Sequence, residues 1–385
     1  MAAIDPNLYA GTRNHLEGAV TGLSPYITHG YVSLPRVHEL IERQTGRALG
    51  PQDKLFAEFG WREFFHHVWR YAADGILSDM RPGLAGVRYA GGVPQDVREA
   101  RTGVPVIDEA VRTLYRTGYL HNHARLWLSS YLVHWRKVAW RSGADWMYGH
   151  LLDGDLASNH LSWQWVAGTF SAKPYLFNAE NVARFAPRRW HSGQTEVDHG
   201  YELLEALAHR NGQLPARASP RRPGPVPEPI GEPPLWAVPP ESMFNIRDQQ
   251  YAHAPLGGSE PQEWVHPWAL AERSSATLRL GVLHAEFHRL FPWSEVRWRF
   301  VLTRMRAVCD AIVWIDPQAA QPPALSSMPG IMQTSLAPGY RDLEHREGVQ
   351  VIPAPRLLPD PGRPCRSFSA FYKDATARWV STRTR

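Results

Sequence analysis

The chain has 385 residues, 43% apolar and 11% aromatic, with 16 tryptophans, two cysteines and a net charge of +5. This composition excludes a wholly disordered chain and suits one large domain or two ordinary ones. Cys309 and Cys365 are too few for a four-cysteine zinc or iron–sulfur site, and no apolar run approaches the roughly 18 residues of a membrane span. The positive charge is nearly all arginine, since the lysines are Lys54, Lys137, Lys173 and Lys373, and a basic surface suits a polyanionic partner. The start, MAAIDPNLYAG, lacks the basic-then-apolar pattern of a secretory signal, so a reducing, cytoplasmic setting is expected. The many tryptophans suit a flat ligand or bases, and equally an indole-rich core.

Residues 1–30 are punctuated by Pro6, Gly11, Gly18 and Gly22 and read as loop until GAVTGLSPYITHG, where Ser24 ahead of Pro25 marks a helix start. Backbone N–H groups and hydroxyls at such a start can hold phosphate, although an ordinary capped helix has the same signature. Residues 53–72, DKLFAEFGWREFFHHVWRYA, repeat apolar positions at helical spacing, with Glu58, Trp61 and Arg62 interleaved. An acid, an indole and a guanidinium within one turn form either a ligand-facing patch or one amphipathic face. Residues 76–104 read as loops. A helix resumes at Pro105, with Asp108 and Glu109 in its first turn, and ends at Gly118.

TGYLHNHARLWLSSYLVHWRKVAWRSG reads as one long, mostly apolar helix with Asn122 and Arg125 near its start and Gly143 beyond its end. A buried arginine there needs an acid. The next motif, DGDLASNHLSWQW (153–165), supplies Asp153 and Asp155, then Asn159, Trp163 and Trp165. His121 and His123 have no Cys or acid at ligand spacing, and no metal site is assigned. Gly168, Lys173 and Pro174 break this helix, another begins near Asn178, and residues 201–210 add a further turn or two.

From Pro220 to Pro240 the proline density allows neither helix nor central strand and reads as a semi-rigid linker or surface wrap. Beyond it, EWVHPWAL (263–270), TLRLGVLHAEF (277–287), DAIVWID (310–316) and GVQVIPAP (348–355) read as strands, and SEVRWRFVLTRMRAVC (294–309) as a helix capped by Ser294. On a strand, His284, Glu286 and His288 would share one face, read here as polar surface ahead of a metal site. The chain carries no Walker-type or GxGxxG loop and no internal repeat. The expected fold is mainly α: a helical domain over 1–212, a Pro-rich linker over 213–262 and a small α/β unit over 263–385.

Four motifs in order, GAVTGLSPY, EFGWREFF, TGVPVIDEAVRTLYRTGYLHNHAR and DGDLASNHLSWQW, make residues 1–190 resemble the helical FAD-binding domain of the cryptochrome/photolyase family. The resemblance implies an all-helical domain holding FAD in a folded, U-shaped form. By the same resemblance Tyr9 and the loop of Thr21, Gly22, Leu23 and Ser24 would touch the phosphates and ribityl chain, with Arg62 adding positive charge. Arg125 would pair with Asp153 beside the isoalloxazine, Asp155 would accept from the ring's polar edge, and Asn159 would stand against N5. Glu58, Trp61 and Trp165 match the lesion site of the repair enzymes, and Asn122 matches either a lesion contact or a flavin contact. Trp163 and Trp140 match the inner and middle electron-relay tryptophans. Residues 76–104 hold no outer tryptophan, and Tyr89 is the candidate substitute.

The implied activity is that of a deoxyribodipyrimidine photolyase-like lyase. Excited reduced FAD would donate an electron to a flipped-out cyclobutane pyrimidine dimer, and damaged DNA would be the partner of a monomer. The alternative is a cryptochrome-like blue-light sensor without repair, whose C-terminal unit binds an unidentified protein. A helical remnant without flavin is a third reading. Several positions depart from the family: Val20 and Gly22 replace a Thr and a basic residue, and His123 and Leu126 an arginine and a methionine. Most members begin with an α/β antenna domain, whereas here the flavin domain starts almost at Met1, so an antenna chromophore is unsupported; with only two cysteines, no iron–sulfur cluster is assigned.

Overall fold

Helices form where an apolar repeat of helical period meets a side chain able to close the first turn. The computed structural model describes residues 4–210, 228–244, 262–273, 277–318 and 329–383. Its first helix, α1 (Pro6–Thr12), lies in the segment expected as loop. Pro6 opens it, and Asp5 caps it by accepting from the N–H groups of Asn7 and Leu8 at 2.8 and 3.2 Å. α2 (Ser24–Thr28), α3 (Leu34–Thr45) and α4 (Lys54–Ala72) follow, then α5 (Gln95–Arg98) and α6 (Pro105–Thr117), the last closed by Gly118 in the left-handed region.

The segment expected as one long helix is two. α7 (Asn122–Ser130) runs into a π turn over Tyr131–Trp135, the backbone reverses at Lys137 (φ 51°), and α8 (Trp140–His150) restarts. A distant contact overrides the local helical pattern. The Lys137 ammonium donates to the Leu207 and Ala208 carbonyls at 2.8 and 2.9 Å, and burial pushes it down to about 8. Gly143 therefore lies inside α8, where a Cβ would collide with the Trp163 ring. α9 (Leu156–Ala167) is capped by Asp155 and closed by Gly168. α10 (Ala179–Phe185), capped by Asn178, and α11 (Tyr201–Ala208) complete the helical part.

Much of the expected linker, 213–227 and 245–261, lies outside the described residues. Its described part is pinned along the helices. The Ile230 N–H donates to Glu99 O at 3.0 Å, and Glu232 accepts from Arg98 and from the Trp146 indole, each at 2.8 Å. This stretch contains β1 (Leu235–Trp236).

After it come β2 (Gln262–Val265), β3 (Arg279–His284), β4 (Trp293–Ser294), β5 (Ala311–Ile315), β6 (Gly330–Gln333) and β7 (Val349–Ile352). β1 and β4 form a short antiparallel ladder, while the other five form a parallel sheet in the order β5-β3-β2-β6-β7. The path reverses between β2 and β6, as in open doubly wound sheets. Between the strands run α12 (Ala285–Leu290), α13 (Glu295–Val308) and α14 (Tyr340–Glu344). α15 (Phe368–Arg383) leaves the sheet and lies against α4, its Tyr372 hydroxyl donating to Pro51 O at 2.9 Å. The molecule is thus helical with a parallel sheet rather than purely α. Among the described residues no helix is long and apolar enough to cross a membrane.

Two expected strands are shorter than their apolar runs. β2 stops at Val265, two residues before Pro267, which cannot donate to a ladder. β3 stops at His284, whose N–H donates to the Tyr340 hydroxyl at 3.0 Å, and Glu286 and His288 fall on α12. The three do not share a strand face. His288 is buried, its ring centroid 4.5 and 4.4 Å from those of Trp293 and Trp298. No group of His, Cys, Asp and Glu among the described residues could hold a metal ion.

The two parts share one core, and His29 ties them. Its Nδ1 lies 2.7 Å from Pro267 O and its Nε2 2.9 Å from Leu152 O. Replacing His29 with Ala removes a fully buried ring and the one hydrogen bond its neutral imidazole can donate to these carbonyls, so a loss of about 2–4 kcal/mol is expected in urea denaturation. An unchanged midpoint would show that the tie carries no stability.

Candidate functional site

The loop between α8 and α9 carries two carboxylates into the interior, Asp153 at 7% and Asp155 at 4% exposure. Anions this close, withdrawn from water, must each be compensated. Asp155 caps α9 through Oδ1, which accepts from the Ser158 N–H at 2.8 Å, while its Oδ2 lies 2.8 Å from His66 Nε2 and 3.5 Å from Arg62 Nη2. Burial would raise this carboxyl. The charges of His66 and Arg62 and the hydrogen bonds outweigh it and hold the group well below the usual carboxylate range. Asp153 accepts from Arg125 Nη2 at 2.9 and 2.7 Å, and Arg125 is further fixed by donating from Nε to Leu120 O at 2.8 Å. Burial alone would lower Arg125, but Asp153 more than reverses it.

On α4, Glu58, Arg62 and His66 recur every four residues and share one face. Glu58 stands 3.7 Å from Arg13, and burial still leaves its carboxyl raised. Arg62 donates to the Thr28 hydroxyl at 3.3 Å. Tyr9 is close enough to Glu58 for that carboxylate, after burial, to raise its phenol. A polar seam thus runs from α1 across α4 to α7 and α9.

Two cavities flank the seam. One of about 570 Å³ is lined by Asp5, Tyr9, Thr21, Gly22 and Leu23. Gly22 has φ 63° and nothing within 4 Å of where a Cβ would stand, so bare backbone faces open space. Ser24 follows as the first residue of α2. The other, about 560 Å³, lies where Thr28, Arg62, His66 and Asp155 meet Trp268 and Ser335, just past the carboxyl ends of β2 and β6. Tyr31 and Val32 line both.

Asn122 opens α7, and Asn159 is buried in α9, donating its amide to Ala144 O at 2.9 Å. Trp163 is buried against Gly143. Trp140 donates its indole N–H to Asp79 at 2.6 Å. Tyr89 stands nearby: Ala90 pairs with Val138, two residues before Trp140, and the Tyr89 phenol is raised by burial and by Asp79. Trp61 and Trp165 have different neighbours. Trp61 stacks on Phe368 of α15 with ring centroids 3.9 Å apart and planes 6° apart, whereas Trp165, 37% exposed, leans on Tyr175 at 5.5 Å.

Sequence reasoning missed His66, Thr28, Arg13, Asp79 and Phe368. His66 was legible, one turn beyond Arg62 on the same helical face. Phe368 and Asp79 reach their partners only through the fold and carry no local signal. The groups present fit a flavin dinucleotide: open Gly22 backbone and the Arg62 guanidinium suit phosphates, and the Arg125–Asp153 pair with the Asn159 amide suits a flat ring with polar edges.

Residues 55–194 match the family model of the FAD-binding domain of DNA photolyase. A deoxyribodipyrimidine photo-lyase of Streptomyces griseus is 35% identical over 162 residues, covering 42% of this chain and 35% of that protein. Cryptochrome-1 of Arabidopsis thaliana is 31% identical over 232 residues, covering 53% of this chain and 34% of that protein. Among solved structures, a bacterial class III photolyase from Agrobacterium tumefaciens aligns with a TM-score of 0.41 at 26% identity, covering 46% of this chain and 38% of that one. The chain spans about a third of the length of these two curated relatives. The helical segment 55–194, with Glu58, Arg62, Arg125, Asp153 and Asp155 on it, is thus similar to the FAD-binding domain of DNA photolyase and to segments of photolyase and cryptochrome relatives.

Proposed function

We propose that the protein is a light-driven DNA-repair flavoprotein, a deoxyribodipyrimidine photolyase-like lyase acting on cyclobutane pyrimidine dimers as a cytoplasmic monomer. The observation that carries this reading is the charge arrangement in the segment matching the photolyase FAD-binding domain: two buried carboxylates held by Arg125, Arg62 and His66, of which Asp155, Arg62 and His66 line a cavity of about 560 Å³. Tyr9 and the Thr21–Ser24 backbone would hold the phosphates and ribityl chain, with Arg62 balancing their charge. Arg125, Asp153, Asp155 and Asn159 would hold the ring system. Neither an antenna chromophore nor an iron–sulfur cluster belongs to this reading.

Held by Arg125, Asp153, Asp155 and Asn159, a reduced flavin would supply the photoexcited electron for dimer splitting. The chain's part is to position and to exclude water. Glu58, whose carboxyl is raised, would be the acid that hydrogen-bonds the lesion. Trp165 offers an accessible ring on which a flipped base gains roughly 1–3 kcal/mol, against a flipping cost of a few kcal/mol. Asn122 would add a further lesion contact. Trp163 and Trp140 would carry electrons inward to oxidised flavin, with Tyr89 in the outer place.

A blue-light sensor of the cryptochrome kind is the second reading, and one observation favours it. The Trp61 face that repair would give to the lesion is covered by Phe368 of the chain's own α15.

Reduced, FAD-loaded protein should remove dimers from an oligonucleotide under blue light, and Trp165→Ala should slow this about tenfold or more, the equivalent of ~1.4 kcal/mol in the barrier. Dimers left intact by the parent protein would end the repair reading and leave the sensor. Phe368→Ala uncovers Trp61 and should tighten binding to dimer-containing DNA several-fold in a filter-binding titration, whereas equal affinities would mean that Phe368 does not compete with a lesion. Tyr89→Phe should slow photoreduction of the oxidised flavin while sparing repair by chemically reduced protein, and unaltered photoreduction would remove Tyr89 from the relay.

A further inference from the structure

From the sheet-bearing part of the chain, Arg297 reaches the acid-bearing loop. Arg297, on α13, is fully buried. Its Nη2 donates to the carbonyl of Gly154, the residue between Asp153 and Asp155, at 2.6 Å, and its Nη1 donates to Tyr148 O at 2.8 Å. The guanidinium carbon lies 4.4 Å from the centre of the Tyr148 ring and 4.1 Å from that of Trp293. The fit leaves no slack, since a Cβ on Gly154 would collide with Nη1.

A buried cation is costly without a counter-charge. Among the described residues no carboxylate comes within ion-pair reach of Arg297. Burial lowers it, and what offsets this is the Tyr148 hydroxyl, which accepts from Nη2 at 3.3 Å, with the charges of Asp153 and Asp155. Around this loop three guanidinium groups, Arg62, Arg125 and Arg297, face two carboxylates. The loop's surroundings therefore hold more cationic than anionic side chains.

Resting on the flavin reading above, we infer that Arg297 is a positioning residue for the flavin. Through the Gly154 carbonyl it fixes the loop that bears both acids, and its charge favours the reduced, anionic ring over the oxidised, neutral one. It lies outside residues 55–194, so the α/β unit completes a site that the helical segment only begins.

Full-length, FAD-loaded Arg297→Gln and Arg297→Lys separate charge from geometry. Gln keeps a donor for Gly154 and loses the charge, whereas Lys keeps the charge and loses the planar fork. Midpoint potentials are read by dithionite titration against a reference dye. The Gln variant should favour reduced over oxidised flavin at least tenfold less than the parent, about 30 mV more negative for a two-electron couple. The Lys variant should stay within threefold of the parent. A folded Gln variant with the parent potential, or equal shifts in both variants, overturns the charge role. In FAD-free protein, amide exchange over residues 151–155 should rise at least tenfold in the Lys variant, and unchanged exchange overturns the positioning role even if the Gln variant fails to fold. A parent protein that takes up no FAD at all would instead overturn the flavin reading, and the inference with it.

Discussion

Two carboxylates one residue apart cannot both be taken out of water unless cations are brought to them, and much of this structure can be read as the answer to that demand. Asp155 draws Arg62 and His66 from α4 and spends its other oxygen on capping α9. Asp153 draws Arg125 from α7. Arg297 arrives from the other half of the chain and grips the peptide between them. One five-residue loop thus sets the facing of three helices and the seat of the sheet. Exposed pairs of this kind are worth little. Removing one partner of a buried pair leaves an uncompensated charge at a cost of roughly 3–5 kcal/mol, which makes the arrangement all-or-none.

The sheet-bearing half meets this site at three points of different chemistry. Arg297 brings charge, Phe368 brings a ring to the face of Trp61, and the carboxyl ends of β2 and β6 close one wall of a cavity whose other wall carries Arg62 and Asp155. Doubly wound sheets leave a crevice where the strand order reverses, and here α2, α3 and α4 stand over it. The polar seam and the carboxyl ends of β2 and β6 consequently face the same space.

How much of this was legible depended on whether the deciding interaction was local. The α4 and α6 helices, the glycine stops at Gly118 and Gly168 and the Ser294 cap of α13 are all set within a few residues, and pattern alone finds them. An arginine in an apolar helix ahead of two acids is likewise readable as a pair. The α1 helix was readable too, because Asp5 ahead of Pro6 is a start signal that the surrounding glycines obscured. The break between α7 and α8 was not readable, since its cause, the Lys137 ammonium, is spent on carbonyls about 70 residues away. Nor was the end of β3, decided by the Tyr340 hydroxyl, or the cover on Trp61, which comes from the far end of the chain. The apolar run over 277–287 was right for burial and wrong for period, because its last residues wind into α12.

The grip of Arg297 on Gly154 also has a bearing on the order of assembly. The two residues are 143 positions apart, and closing a loop of that length costs ~4 kcal/mol in chain entropy before any contact is rewarded. The helices can form from near-neighbour contacts, whereas the parallel sheet that presents Arg297 depends on distant ones and is intrinsically slow to pair. During synthesis the acid-bearing loop leaves the ribosome well before its last cation. The folding of this site is accordingly paced by the half of the molecule made last.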